Sequence, residues 1–197
     1  AISEHLSEPG DFVWVALRNA SEDELSAVQR EFGLHELAVE DARHGHQRPK
    51  IEEYGDMVFT VMHLVEYGPT DELAVGEVAV FVGPNYVVSV RNRSSQNFLG
   101  VRERCEREPH LLRQGSGFVF YALMDAVVDR YFPFVDALES ELEAIEEEIF
   151  EPGAARRNIQ QLYDVKRRLT VLRHAVVPLM DAAGKLYAHA TTTCIVM

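Results

Sequence analysis

The stretch Met57-Val58-Phe59-Thr60-Val61-Met62-His63-Leu64-Val65-Glu66-Tyr67 is rich in β-branched and aromatic residues and reads as one long strand. Gly68-Pro69 ends it. Residues 73–82 and 86–91 have the same character and are joined by Gly83-Pro84-Asn85, so they read as two more strands. Connections this short make an antiparallel meander. The period of two begins at Lys50. Residues 12–17, bounded by Pro9-Gly10 and Asn19, add a short strand upstream. His63 falls inside the long strand with no second ligand at metal spacing, and is expected to be a core or edge histidine.

Between the upstream strand and the meander the pattern is helical. Ser21 and Glu24 form a capping box, Leu25, Val28, Gln29 and Phe32 give an inner stripe, and Gly33 stops the helix. A second short helix runs through Gly33-Leu34-His35-Glu36-Leu37-Ala38-Val39-Glu40-Asp41. Leu34, Leu37 and Ala38 make its apolar face, and Glu36 and Glu40 a wet one. Asp41 follows at the helix end, the negative pole of the dipole. The carboxylates of Glu40 and Asp41 repel each other there, and a cation relieves that repulsion. Gly45 and Pro49 break the helix, while Arg48 and Lys50 put positive charge beside the pair. Read alone, Glu40-Asp41 is a solvated helix end.

Downstream, Phe98, Val101, Arg102 and Cys105 predict a helix over about 95–108, ended by Pro109. Gly115-Ser116-Gly117 lacks the other residues of a phosphate loop and reads as a hinge. Val128, Tyr131, Val135, Leu138, Leu142, Ile145 and Ile149 then recur at steps of three and four. Phe150-Glu151-Pro152-Gly153 interrupts this seam. It resumes at Leu162, Val165, Leu169, Leu172, Val176, Leu179, Ala183 and Leu186. Long helices across so short a turn run antiparallel and pack their seams together, with arms of roughly 45 Å each. Acids crowd the first arm and bases the second. Pro133 and Pro178 are expected to kink them. The expected fold is α/β: a two-layer head over 1–112, with helices on a mixed, largely antiparallel sheet, then a long antiparallel helical hairpin over 113–188.

The chain has 197 residues, 47% hydrophobic and 26% charged, which suits one globular domain with an appendage. A net charge of -13 argues against nucleic acid or an anionic membrane surface as the main partner. Cys105 and Cys194 show no pairing pattern, as in a reducing compartment. The start has neither the basic segment nor the apolar core of a signal peptide. No run approaches the ~18 to 20 apolar residues that cross a bilayer. Without an initiator Met, the sequence is expected to be a fragment.

The order Leu34-His35-x-Leu37-x-x-Glu40-Asp41, four residues, then His46-Gln47-Arg48-Pro49-Lys50-Ile51-Glu52 closely resembles the cytosolic domain of the CorA family of divalent-cation transporters. Asp125-x-x-Val128-Asp129-x-Tyr131-Phe132, Asp164-Val165-Lys166-Arg167-Arg168-Leu169 and Leu172-Arg173 with Pro178 resemble it too, so about 14–187 is covered. The resemblance implies that Glu40 and Asp41 lie in a magnesium-sensing region between neighbouring subunits, and that Asp125 lies near the regulatory metal sites. Mg2+ is then the expected regulatory ion, with Co2+, Ni2+ or Zn2+ as further candidates. The implied partners are divalent cations and identical subunits, as a homopentamer in the full-length protein. The implied location is the cytoplasmic face of the inner membrane, reached through a C-terminal part that this sequence lacks. The family's stalk helix, two membrane helices and Gly-Met-Asn signature are not found here, nor are the stalk acids that an adjacent subunit supplies. Residues 189–197 do not resemble the family and are expected to be a non-native tail.

The expected function is cation sensing and gating for an attached magnesium/cobalt pore. Catalysis is not expected, since HExxH, nucleophile and Gly-rich cofactor signatures are lacking. Magnesium takes oxygen ligands and keeps several waters, which suits Glu40, Asp41 and Asp125. Two alternatives stand beside this reading. One is a zinc transporter of the same family, with His35, His44 and His46 near Asp41. The other is a metal-independent oligomerisation module.

Overall fold

The computed structural model of the chain describes residues 11–69, 72–149 and 151–194, with the side chains at 181, 182 and 185–194 outside that description. Strands β1 (Val13–Arg18), β2 (Lys50–Tyr54), β3 (Met57–Tyr67), β4 (Leu73–Val82) and β5 (Tyr86–Asn92) form one sheet in the order β1-β5-β4-β3-β2. β2 to β5 are the expected antiparallel meander, and β1 lies parallel to β5. A parallel pair cannot be joined by a tight turn. Here α1 (Glu22–Phe32), α2 (Glu36–His44) and three strands intervene. Ser21 caps α1 through the capping box with Glu24, and Gly33 closes it at φ 63°, in the left-handed region that suits glycine.

Helices cover both faces of the sheet, so the head has three layers rather than two. On one face Phe59, Phe81, Val88 and Val90 pack against α1 and α2. On the other, Met62, Leu64, Val78, Val80 and Val87 pack against α3 (Leu99–Arg107), α4 (Pro109–Leu112) and α5 (Ser116–Asp129). The cause is visible in β4. Ala79 and Phe81 join one cluster while Val78, Val80 and Val82 join the other, and a strand apolar on both sides needs cover on both.

Local expectations change where tertiary contacts compete. The inner face of α2 is Ala38, Val39 and Ala42; Leu34 is buried just before the helix and Leu37 is 55% exposed. Two alanines one turn apart let the helix lie close to the sheet. α3 begins at Leu99 rather than 95 because Glu66 holds the preceding segment. It accepts from Ser95 N (3.1 Å) and Ser95 Oγ (2.9 Å), while Gln96 Nε2 donates to Val65 O (2.7 Å). Gly115-Ser116-Gly117 opens α5 instead of acting as a hinge. The buried Ser116 Oγ donates to Gly83 O (2.6 Å) and fastens α5 to the β4–β5 turn.

The first arm of the hairpin is divided. α5 ends at Asp129, and α6 (Phe132–Glu148) starts afresh with Pro133 in its first turn, where a missing N–H costs nothing. At the break Tyr131 is buried and donates to His63 O (2.7 Å). α5 shares the core of the head, so elements on both sides of the 112/113 boundary pack on one sheet. The hairpin proper is α6 with α7 (Ala155–Cys194), 17 and 40 residues, so its arms are unequal, at ~26 and ~60 Å. α7 continues through 189–194, while 195–197 lie outside the described residues.

The buried seam is narrower than the sequence pattern. Leu138 and Ile145 pack in one cluster with Val165, Leu172, Ala175 and Leu179, whereas Val128, Val135, Ile149, Leu162 and Leu169 are exposed. Ala183 is exposed too, and Phe150 and the Leu186 side chain are not among what is described. α7 packs on α6 and on β2 and β3 at once, so its apolar residues serve two neighbours rather than one seam. Opposite charges pair across the arms, Arg157 with Glu148 (2.7 Å) and Arg168 with Glu141. Arg167 reaches Glu72 at the start of β4 (2.6 Å). Among the described residues no helix is long and apolar enough to cross a membrane.

Candidate functional site

Glu40 and Asp41 sit in the last turns of α2, above the start of β2. The Glu40 side chain is exposed. Asp41 is 24% exposed and turned to the sheet, where Lys50 Nζ donates to its Oδ2 at 2.7 Å. The same ammonium donates to Glu52 Oε2 (2.7 Å), which also accepts from Tyr54 OH (3.0 Å). Lys50 and Glu52 are two apart on a strand and so share a face. Burial works against the Lys50 ammonium, but hydrogen bonds and charges from Asp41 and Glu52 outweigh it and raise its pKa above the ordinary lysine value. The cation that the acidic helix end calls for is therefore supplied, in one chain, by Lys50.

The loop after α2 is held just as firmly. Gly45 ends the helix at φ 64°, and a Cβ there would come within 2.5 Å of Glu77 Oε1. Glu77 is buried at 2% exposure, accepts from Gln47 N (3.3 Å) and pairs with Arg93 (3.4 Å). The histidines are occupied separately. His35 stacks on Tyr54 with centroids 4.0 Å apart, and His44 Nδ1 lies 3.0 Å from Glu40 O. His63 Nε2 lies 2.9 Å from Gln47 O, where β3 runs on past its pairing with β2. Among the described residues no three histidine, cysteine or acidic side chains converge as a metal cage.

Asp125 belongs to the opposite layer. It lies on α5, 29% exposed, and Arg104 Nη1 of α3 donates to it at 2.5 Å. The hydrogen bond to Asp125 is the main cause that raises the Arg104 pKa, with Asp129 contributing charge nearby. Glu40 and Asp41 adjoin in sequence but point apart, Glu40 to the surface and Asp41 to Lys50, and the sheet separates both from Asp125. The sequence reading placed Lys50 beside the acids but missed Glu52 and Arg104. Glu52 could have been found from strand alternation. Arg104, twenty-one residues from its partner, carries no such signal.

The mixed sheet is covered on both faces, and α7, the long arm of the hairpin, lies across β2 and β3. The soluble domain of CorA from Methanocaldococcus jannaschii matches this fold with a TM-score of 0.66 at 16% identity, over 87% of this chain and 68% of that one. The full-length CmaX protein matches with a TM-score of 0.69 at 20% identity, over 91% and 55%. At these identities the likeness is one of fold. The chain belongs to the CorA family, for the family model of the CorA-like Mg2+ transporter protein matches residues 9–193. It is 31% identical over 167 residues to the cobalt/magnesium transport protein CorA of Thermotoga maritima, covering 84% of this chain. It spans about half of that relative, 47% of its length.

Proposed function

We propose that this chain is the cytosolic cation-sensing and gating part of a magnesium/cobalt transporter, and that Glu40, Asp41 and Asp125 are its share of regulatory sites formed between identical subunits. The supporting observation is the state of the two aspartates. Each is partly exposed, each is held by one cationic side chain, and they stand on opposite layers of the head. One chain cannot close an ion around both. In a cyclic assembly such as a homopentamer, each copy meets its neighbours through two different surfaces, so acids on opposite layers become facing partners. Mg2+ fits such a divided site because it takes oxygen ligands and keeps several of its waters. Co2+ and Ni2+ can use the same carboxylates.

Gating then follows from charge. Each chain carries -13, so chains packed around an axis repel unless cations intervene. Divalent ions bound between facing acids of adjacent chains let neighbouring heads approach and hold an attached pore closed. Their loss restores the repulsion and loosens the assembly. The ion shifts this equilibrium only by the difference in its affinity for the two states. In this reading the head faces the cytoplasm and meets the membrane through a segment C-terminal to α7. The test is uptake by the complete protein in vesicles as internal magnesium is raised. Asp41→Asn or Asp125→Asn is expected to raise the closing concentration roughly three- to tenfold, the loss of about one charge-assisted contact. Unchanged magnesium dependence in both variants overturns the proposal.

A further inference from the structure

A cavity of about 640 Å3 opens between the β1–β5 pair and α3, within the range of small-molecule sites (roughly 300–1,000 Å3). Phe12, Trp14, Phe98 and Leu112 give it apolar and aromatic walls. Trp14 is fixed by its Nε1–H, which donates to Ser89 Oγ (3.1 Å). Arg18 and Arg91 line it at the C-terminal ends of the parallel strands.

The two arginines are the unusual feature. Arg18 stands directly across from Arg91 in the β1–β5 register, and like charges so placed repel. Among the described residues neither guanidinium forms an ion pair, and Arg91 Nη1 is buried with no hydrogen-bond partner. The acids nearby are engaged elsewhere. Glu106 pairs with Arg102 (2.8 Å), and Glu66, whose charge reaches Arg91, accepts from Ser94 and Ser95. Burial and the Arg18 charge lower the Arg91 pKa, and Arg91 in turn opposes the charge on Arg130. In a chain of net charge -13 this is a local concentration of positive charge that an anion would settle.

We propose that this cavity binds a small anion with an aromatic body, of the chemistry of a nucleoside phosphate. Its phosphate oxygens lie between Arg18 and Arg91, whose planar forks match them, and its base lies against Trp14 and Phe98. The metal-free form is preferred, because bound magnesium neutralises the charge that the arginines read.

Trp14 is the only tryptophan in the sequence, so its emission reports occupancy. The full chain is titrated in EDTA with AMP, ATP and inorganic phosphate, by fluorescence and calorimetry together. AMP and ATP are expected to quench Trp14 and saturate below the millimolar range, with phosphate alone binding more weakly. Arg18→Gln and Arg91→Gln are each expected to weaken ATP binding about tenfold or more. Arg18→Gln, at an exposed position, is also expected to leave the melting temperature unchanged or raised, since one of two like charges is gone. The proposal is overturned by no saturable change with any probe. It is also overturned by ATP affinity unchanged in both variants, or by phosphate binding as tightly as AMP. A lower melting temperature in Arg18→Gln with ATP binding intact makes the pair structural and overturns it as well.

Discussion

Replacing Lys50 by methionine isolates the electrostatics of the candidate site, because the apolar stem is kept and the charge removed. Lys50 Nζ lies 2.7 Å from both Asp41 Oδ2 and Glu52 Oε2, with the three side chains 26%, 24% and 38% exposed. An enclosed charge-assisted hydrogen bond contributes about 1.5–3 kcal/mol. Solvent reaches all three groups and screens them, so the expected loss for the pair of contacts is about 1–2 kcal/mol in all. In a domain of this size that lowers the Tm by about 2–8 °C in EDTA. Magnesium should then act unequally. In the parent chain it must displace an ammonium from Asp41; in Lys50→Met it meets Asp41 and Glu52 unneutralised. Thermal melts across a magnesium titration are expected to restore most of the lost stability in the variant. Half of the effect should come at a concentration about tenfold lower than in the parent. Equal magnesium shifts in the two proteins would show that Lys50 and the ion do not compete for Asp41.

Tyr131→Phe removes the bond to His63 O and should cost about 1 kcal/mol at neutral pH by urea denaturation. Burial pushes the Tyr131 phenol well above its ordinary value of 10.0. The fold therefore keeps a proton that the unfolded chain releases, and stability falls as pH rises past that value. The variant should fall less steeply there. Leu172→Ala, at 4% exposure, should cost about 2–5 kcal/mol, whereas Leu169→Ala, at 45%, should stay within about 0.5 kcal/mol. The same urea midpoints decide which residues form the hairpin seam. Asn158 is buried with neither amide atom hydrogen-bonded, so Asn158→Leu should stabilise the chain by about 1–2 kcal/mol.

Elements specified by neighbouring residues were legible in the sequence. The capping box of Ser21 and Glu24, the Gly33 stop and the bounds of β3 and β4 need only local patterns, and the structure keeps them. Most of what failed depended on partners remote in the chain. The stripe from Val128 to Ile149 reads as one seam, yet the helix is interrupted where Pro133, a local signal, lacks the N–H that would reach Asp129 O. What the sequence does not give is that Tyr131 turns there to His63 O. Leu37 and Ala38 fit one helical face, but the sheet accepts Ala38 with Val39 and Ala42 and leaves Leu37 exposed. At the candidate site the acids and Lys50 lie within one short segment, so their proximity could be read directly. The Asp125–Arg104 pair and the Arg18–Arg91 register arise from packing and strand order, which no local pattern encodes.

The sharpest measurement is equilibrium magnesium binding to the assembled full-length protein, compared with its Asp41→Asn and Asp125→Asn variants and with the isolated 197-residue chain. If neighbouring heads share ions through these acids, either substitution removes the same class of sites, and the isolated chain binds only weakly. If both variants bind as many ions as tightly as the parent, the acids of α2 and α5 do not sense magnesium.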